Sequence, residues 1–423
     1  MRRIIAYVTG FGIARGALFA APIVLANLLP VELYGRLELA QSMAVLGALV
    51  FGLGLPASVP LALLRDEVRA RWDTLLFLLA GLAIVLLIIS AGNALVLSSA
   101  TALPVLVPLA MAILLLQGLW ANSLKSHGKG TGAVLLEAGF WITAVLGGVI
   151  IAAGVGGSWT LAVALSGYAA LLLALTIRAC LDARTAFGPA DLLENVKVSV
   201  PLMMVGLLSV LVSSSGRIIL GYTSTVEIMG LYAIIFRATA LPIVGHQLLI
   251  VGLFRALYTW DVATLKRRAL IIPVGVSVLA FGFWLVVDHM GFLLGPRFAE
   301  TFPRFRVPAL LILAQTVLWS AISLNDLLNS RLLIAGRVAR YLAAYLILAL
   351  PALALVTAHG NAGGQPATTL LTFAIWHSAL MFGYYLTQCL AIWRAGHRYP
   401  LLWASALTGY VVLVVFFLAG ELV

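Results

Sequence analysis

Apolar runs long enough to cross a membrane alternate with short polar connections along nearly the whole chain. They cover about 4–29, 34–64, 74–97, 102–124, 132–154, 159–178, 196–222, 227–254, 269–289, 305–329, 339–358, 367–392 and 401–420. A helix of about 20 apolar residues spans a hydrocarbon core ~30 Å thick. The pattern therefore predicts thirteen transmembrane helices in an all-α polytopic membrane protein.

The connections carry a repeat. Val31-Glu32-Leu33-Tyr34-Gly35 recurs as Val226-Glu227-Ile228-Met229-Gly230, and each copy joins two long apolar runs. Six crossings return a chain to its starting side. The pattern therefore predicts two six-helix bundles related by a pseudo-two-fold axis along the membrane normal. The N-terminal bundle would cover 1–181 and the C-terminal bundle 196–392, with a cytoplasmic linker over 182–195. An additional transmembrane segment within 393–423 falls outside the repeat.

Composition agrees: 63% of residues are hydrophobic, only 10% are charged, and the mean hydropathy is +1.11. Soluble globular domains are about 25% charged. Lys and Arg number 26 against 15 Asp and Glu, but they are dispersed among short loops rather than gathered into a nucleic-acid-binding domain. Most fall on one side: Arg2 and Arg3; Arg65, Arg69 and Arg71; Lys125 and Lys129; Arg178, Arg184 and Lys197; Arg255 and Lys266 to Arg268; Arg331, Arg337 and Arg340; Arg394 and Arg398. Arg36, Arg297, Arg304 and Arg306 fall on the other. The excess of positive charge places the N-terminus in the cytoplasm. Arg15 interrupts what would otherwise resemble a signal peptide, so the first run is kept as a span.

Several functions are disfavoured. Cys180 and Cys389 are too few and too separated for a disulfide framework, and no Cys/His cluster suggests a metal. Gly128-Lys129-Gly130-Thr131 lacks Walker A spacing. The longest external loop, 290–304, is too short to hold a separate acceptor-binding domain, which argues against a membrane glycosyltransferase or polysaccharide polymerase. The expectation is a transporter with no catalytic residues, cofactor or ATPase of its own.

Arg15, Arg217 and Arg237 fall inside predicted helices. Arg217 and Arg237 flank Glu227 symmetrically, each about 15 Å along its helix from the turn, near the bilayer midplane. An arginine there costs ~2.5–3.5 kcal/mol unless water, a partner or an anionic ligand meets it. Ser213 and Ser214 one turn before Arg217, and Gly221 one turn after, leave polar space beside the guanidinium. The planar fork suits phosphate. The bland account is snorkelling or internal pairing. On the second run Glu38, Gln41 and Ser42 share a face, and Glu38 could neutralise an arginine or take a proton. On the tenth, Gln315, Trp319, Ser323 and Asp326 recur at helical spacing. For Asp326 the simpler expectation is a solvated helix end or a pair with Arg331. His246 and His377 read as hydrogen-bonded packing residues. Pro22, Pro56, Pro60, Pro201, Pro242 and Pro273 interrupt long runs, and Gly52-Leu53-Gly54-Leu55-Pro56 breaks the second run near its inner end.

The stretch Asn27-Leu28-Leu29-Pro30-Val31-Glu32-Leu33-Tyr34-Gly35, with the polar start of the second run and Gly52-Leu53-Gly54, resembles the N-terminal region of Wzx-like polysaccharide flippases. These belong to the multidrug/oligosaccharidyl-lipid/polysaccharide exporter superfamily. The resemblance implies two helix bundles around a cationic cavity and translocation of undecaprenyl-diphosphate-linked oligosaccharide to the periplasmic leaflet. Arg15, Arg217 and Arg237 are the positions that could fill the cationic role. Net movement in one direction calls for a coupling ion, H+ or Na+, or for a polysaccharide polymerase that consumes the product. Glu38 and Asp326 are candidate coupling groups. A cation-coupled multidrug exporter of the same superfamily is the alternative.

Overall fold

Inside a bilayer no water satisfies backbone N–H and C=O groups, so an unpaired chain must close its hydrogen bonds within each segment as a helix. A computed structural model describes residues 16, 19–64, 71–97, 102–155, 157, 159–183, 189–332, 334–361 and 365–421, and among these there is no strand. Every apolar run read from the sequence lies on helix, the first over its described part only.

Helix α1 is Phe19–Leu28. Then follow α2 (Val31–Phe51), α3 (Leu55–Leu64), α4 (Trp72–Leu97), α5 (Leu103–Ser126), α6 (Gly130–Ala152) and α7 (Trp159–Asp182). The second half contains α8 (Pro189–Thr223), α9 (Val226–Thr239), α10 (Leu241–Thr259), α11 (Val262–Arg268) and α12 (Ile271–Val286). Two short helices, α13 (Gly291–Leu294) and α14 (Pro296–Thr301), lead to α15 (Arg306–Arg331), α16 (Ala335–Asn361), α17 (Pro366–Arg394) and α18 (Pro400–Glu421).

Among the described residues, nine helices are long and apolar enough to span, or ten if the bent pair α9–α10 is one span. Thirteen were expected. The difference has physical causes: much of the first run lies outside the described residues, and the second is split into α2 and α3. The 29-residue α17 carries His377, Tyr384, Tyr385 and Gln388, which lower its hydropathy.

Both repeated pentapeptides open a helix, at Val31 and Val226. The second of these helices is capped by Thr225, whose hydroxyl accepts from the Ile228 amide at 3.2 Å. Breaks occur at two of the expected sites, whereas Pro22, Pro60, Pro201 and Pro273 lie within helices. Between α2 and α3, Leu53 and Gly54 adopt φ of 48° and 69°, a left-handed conformation unfavourable to a residue with a Cβ. A Cβ on Gly54 would also stand 2.8 Å from the Ser199 carbonyl oxygen. Between α9 and α10 the chain bends by 50°, one residue before Leu241-Pro242. Proline removes a helix donor and restricts the residue preceding it.

Contacts divide the chain into two units, Met1–Leu207 and Leu208–Val423. The division falls within α8, which begins at Pro189 inside the stretch read as a linker. In the first unit α5 is central and packs on α2, α3, α4, α6 and α7. In the second, α15 is central and packs on α9, α10, α12, α17 and α18. Each is the fourth span of its half. The thirteenth helix, α18, is an integral part of the second unit, packed on α12 and α15. The 290–304 loop folds into α13, α14 and a 3-10 turn, burying Phe298, Phe302 and Phe305.

Candidate functional site

In the first unit, polar side chains fasten helices to backbone. Gln117 of α5 donates to the Leu136 carbonyl, Asn122 donates to the Pro56 carbonyl at 2.7 Å, and Trp120 donates to the Thr176 hydroxyl at 2.9 Å. Glu38 is fully buried and accepts from the Tyr34 hydroxyl at 2.7 Å. Ser42 donates to the Glu38 carbonyl at 2.8 Å, and Gln41 is half-buried. Glu137 pairs with Lys125.

The second unit links side chain to side chain across helices. Ser209 of α8 donates to the Asp326 carboxylate of α15, which also accepts from Gln388 of α17 at 2.7 Å. The Tyr384 hydroxyl lies 3.3 Å from Ser209. Sequence reasoning expected Asp326 to be solvated or paired with Arg331. Instead Arg331 donates to the Leu257 and Trp260 carbonyls at the end of α10, where a cation is favourable, and Asp326 joins the interhelical network. Beside it, Gln388 Oε1 and both amide ends of Asn329 are buried without a hydrogen-bond partner. Asn329 lies one turn from Asp326, so unused acceptors adjoin the carboxylate.

A second network lies further along α8. Gln315 donates to Ser378 at 2.9 Å, which turns its Oε1 toward His377 Nδ1 at 2.8 Å. That geometry makes Nδ1 the donor, and His377 Nε2 faces the Ser215 hydroxyl at 3.0 Å. His246 contacts Ser320 at 2.7 Å and Ser323 at 3.2 Å. Both histidines are buried and hydrogen-bonded, as the sequence suggested, and their partners include the polar stripe of α15.

Between these side chains is a narrow cleft of about 20 Å³ reachable by the centre of a water molecule, lined by Ser213, Phe236, Gln315, Trp319 and His377 among others. It has room for about one water molecule. Arg217 is only 8% exposed and its guanidinium lies 5.0 Å from the centroid of the Phe236 ring. A cation over an aromatic face gains about 0.5–2 kcal/mol. Ser214 is buried on the same helix. Arg237 is half-buried in the last turn of α9, close to the bend. It therefore sits at a helix C-terminus rather than mid-helix, where the dipole favours a cation. Arg15 lies outside the described residues.

The structure thus gathers Ser213, Arg217, Gln315, Ser323 and Asp326 into one unit. Sequence reasoning overlooked Ser209, Ser215, Tyr384 and Gln388. A signal existed: His377, Met381, Tyr384 and Gln388 recur at helical spacing along one face of α17.

No protein-family model and no curated protein sequence matches the chain. Solved structures do. The chain superposes on the lipid II flippase MurJ in an inward closed conformation with a TM-score of 0.60 at 12% identity, covering 98% of this chain and 93% of that one. It superposes on an inward-facing multidrug resistance MATE family transporter of the MOP superfamily with a TM-score of 0.56 at 11% identity, covering 90% and 95%. At such identities the likeness is one of fold: the chain has the all-helical architecture of these membrane transporters.

Proposed function

We propose that the protein is a flippase that moves undecaprenyl-diphosphate-linked oligosaccharide from the cytoplasmic to the periplasmic leaflet of a bacterial inner membrane by alternating access. The observation that carries this reading is Arg217, a permanent cation buried in a membrane-spanning hairpin among Ser213, Ser214 and Ser215 and held over Phe236, itself a wall of the narrow cleft. In this reading Arg217 and Arg237, with Arg15, attract the diphosphate. Gln315, Ser323 and their neighbours contact sugar, and the lipid tail stays in the bilayer. The cleft is far too small for a glycan in this conformation, so the pathway must open during the cycle.

Asp326 supplies the coupling step, with Glu38 as a second candidate. The Asp326 carboxylate, the Ser209 and Tyr384 hydroxyls and the unused Gln388 and Asn329 oxygens could take a proton or hold a small cation, whose inward movement would give the cycle its direction. The same acid favours a second reading, cation-coupled export of a cationic drug.

Reconstitution separates the two. In liposomes, the wild-type protein should exchange a fluorescent undecaprenyl-diphosphate sugar between leaflets and should not extrude a fluorescent organic cation. Cation efflux without lipid exchange would replace the flippase with the drug exporter, and sugar transfer to an acceptor would overturn both.

A further inference from the structure

Several basic residues, Arg36, Arg71, Lys125, Lys197 and Arg306, pair with carboxylates, and one of them, Arg306, also lies 5.5 Å from the centroid of the Trp284 ring. At one end of the second unit a different set meets aromatic rings. Arg268 lies 5.7 Å from the centroid of Trp260, Lys266 5.8 Å from Tyr399, Arg394 5.7 Å from Tyr341, and Arg398 5.8 Å from Trp393. All four cations are exposed, and none has a carboxylate partner among the described residues.

These pairs form one surface. Lys266 of α11 reaches Tyr399 ahead of α18. Arg331 ties the end of α15 to the Trp260 carbonyl, and Arg394 ends α17 beside Tyr341 of α16. The one acid within 257–268, 331–341 and 393–399 is Asp261. It is engaged as the cap of α11, accepting from the Thr264 amide at 2.9 Å and hydroxyl at 2.7 Å. The Thr264 hydroxyl, then its amide, hold the Asp261 carboxyl below its usual pKa.

A guanidinium stacked on a ring keeps its N–H fork free in the ring plane, oriented for phosphate. Exposed apolar residues adjoin the cations: Ile271, Trp393 and Leu401 are 54%, 51% and 68% exposed. Positive charge, interfacial aromatics and lipid-facing apolar side chains occur together at the end that the cation distribution assigns to the cytoplasm. We propose that this surface binds anionic glycerophospholipids of the cytoplasmic leaflet, their phosphates against Lys266, Arg268, Arg394 and Arg398 and their acyl chains along the adjoining apolar residues. The proposal is independent of which substrate the protein transports.

Native mass spectrometry of the purified full-length protein, offered equal amounts of phosphatidylglycerol and phosphatidylcholine, tests it. Wild type should retain phosphatidylglycerol preferentially. Each surface cation contributes about a fivefold factor in affinity, so Lys266→Gln with Arg268→Gln should weaken phosphatidylglycerol binding about thirtyfold. The independent pair Arg394→Gln with Arg398→Gln should do the same, while Arg36→Gln, at a salt-bridged cation, should not. Inorganic phosphate should leave the adducts in place. Equal retention of the two lipids by wild type, unchanged retention in both double variants, or displacement by inorganic phosphate would overturn the proposal.

Discussion

Helices α5 and α15 hold the same position in their units, yet they use their polar residues differently. Of the apolar window of α5 61% is buried, against 83% for the span that contains α15. A helix with so little surface left for lipid must satisfy each polar group internally. On α5 the partners of Gln117 and Asn122 include fixed backbone carbonyls, bonds that staple helices together. On α15, Gln315, Ser323 and Asp326 bond to side chains of α8, α10 and α17. Such bonds can exchange partners when helices shift, a property an alternating-access machine needs and a staple lacks. The first unit is built as the more fixed partner, and the second carries the responsive polar core.

The comparison breaks most visibly at Asp326. Asp326→Asn keeps the shape of the carboxylate and removes its charge, so it should abolish coupled export in liposomes while the thermal unfolding midpoint stays close to wild type. Export at the wild-type rate would remove Asp326 from the coupling step. Gly54→Ala should be the most damaging single change to the fold of the first unit. It places a Cβ in a left-handed conformation and against the Ser199 carbonyl, a loss of about 2–4 kcal/mol measurable by thermal unfolding.

A matched pair sharpens the contrast directly. Gln117→Leu and Gln315→Leu should each lower stability by about 1–3 kcal/mol. Only the second, which strands the His377 ring donor, should reduce export per folded molecule. Equal activity would show that the two central helices do the same work.

The smallest effects test where the units are alike. Tyr168 donates to the Leu136 carbonyl at 3.0 Å and rests on Gly139, while Tyr345 donates to the Leu380 carbonyl at 3.0 Å and rests on Gly383. An added Cβ would lie 2.1 Å from the first hydroxyl and 2.2 Å from the second. The ring can swing aside at the loss of one hydrogen bond, so Gly139→Ala and Gly383→Ala should each destabilise by about 1 kcal/mol. A marked difference between them would argue that the two locks are not equivalent.

Much of this architecture was legible from residue order. Long apolar runs compel helices, the repeated pentapeptide marked two helix starts, and Gly52-Leu53-Gly54 and Pro242 marked two breaks, although Pro22, Pro60, Pro201 and Pro273, read the same way, lie within helices. The site was legible in part. Arg217 and the α15 stripe stood out because a charge or a periodic polar face in an apolar run is conspicuous. Tyr384 and Gln388 were lost among aromatic and aliphatic neighbours on α17, and Ser209 is one serine among several. Their role depends on which faces meet, and that is set by packing across more than a hundred residues of chain. For Asp326 proximity in sequence misled: Arg331 is near along the chain, but the end of α10 offers it two carbonyls.

The account stands or falls on the buried arginine hairpin. The most direct measurement is the initial rate of leaflet exchange of a fluorescent undecaprenyl-diphosphate sugar in liposomes containing equal amounts of folded wild type or the Arg217→Gln, Arg237→Gln double variant. Loss of exchange by the variant, with its fold intact, is the predicted result. Exchange at the wild-type rate would contradict it and leave the hairpin with a purely structural role.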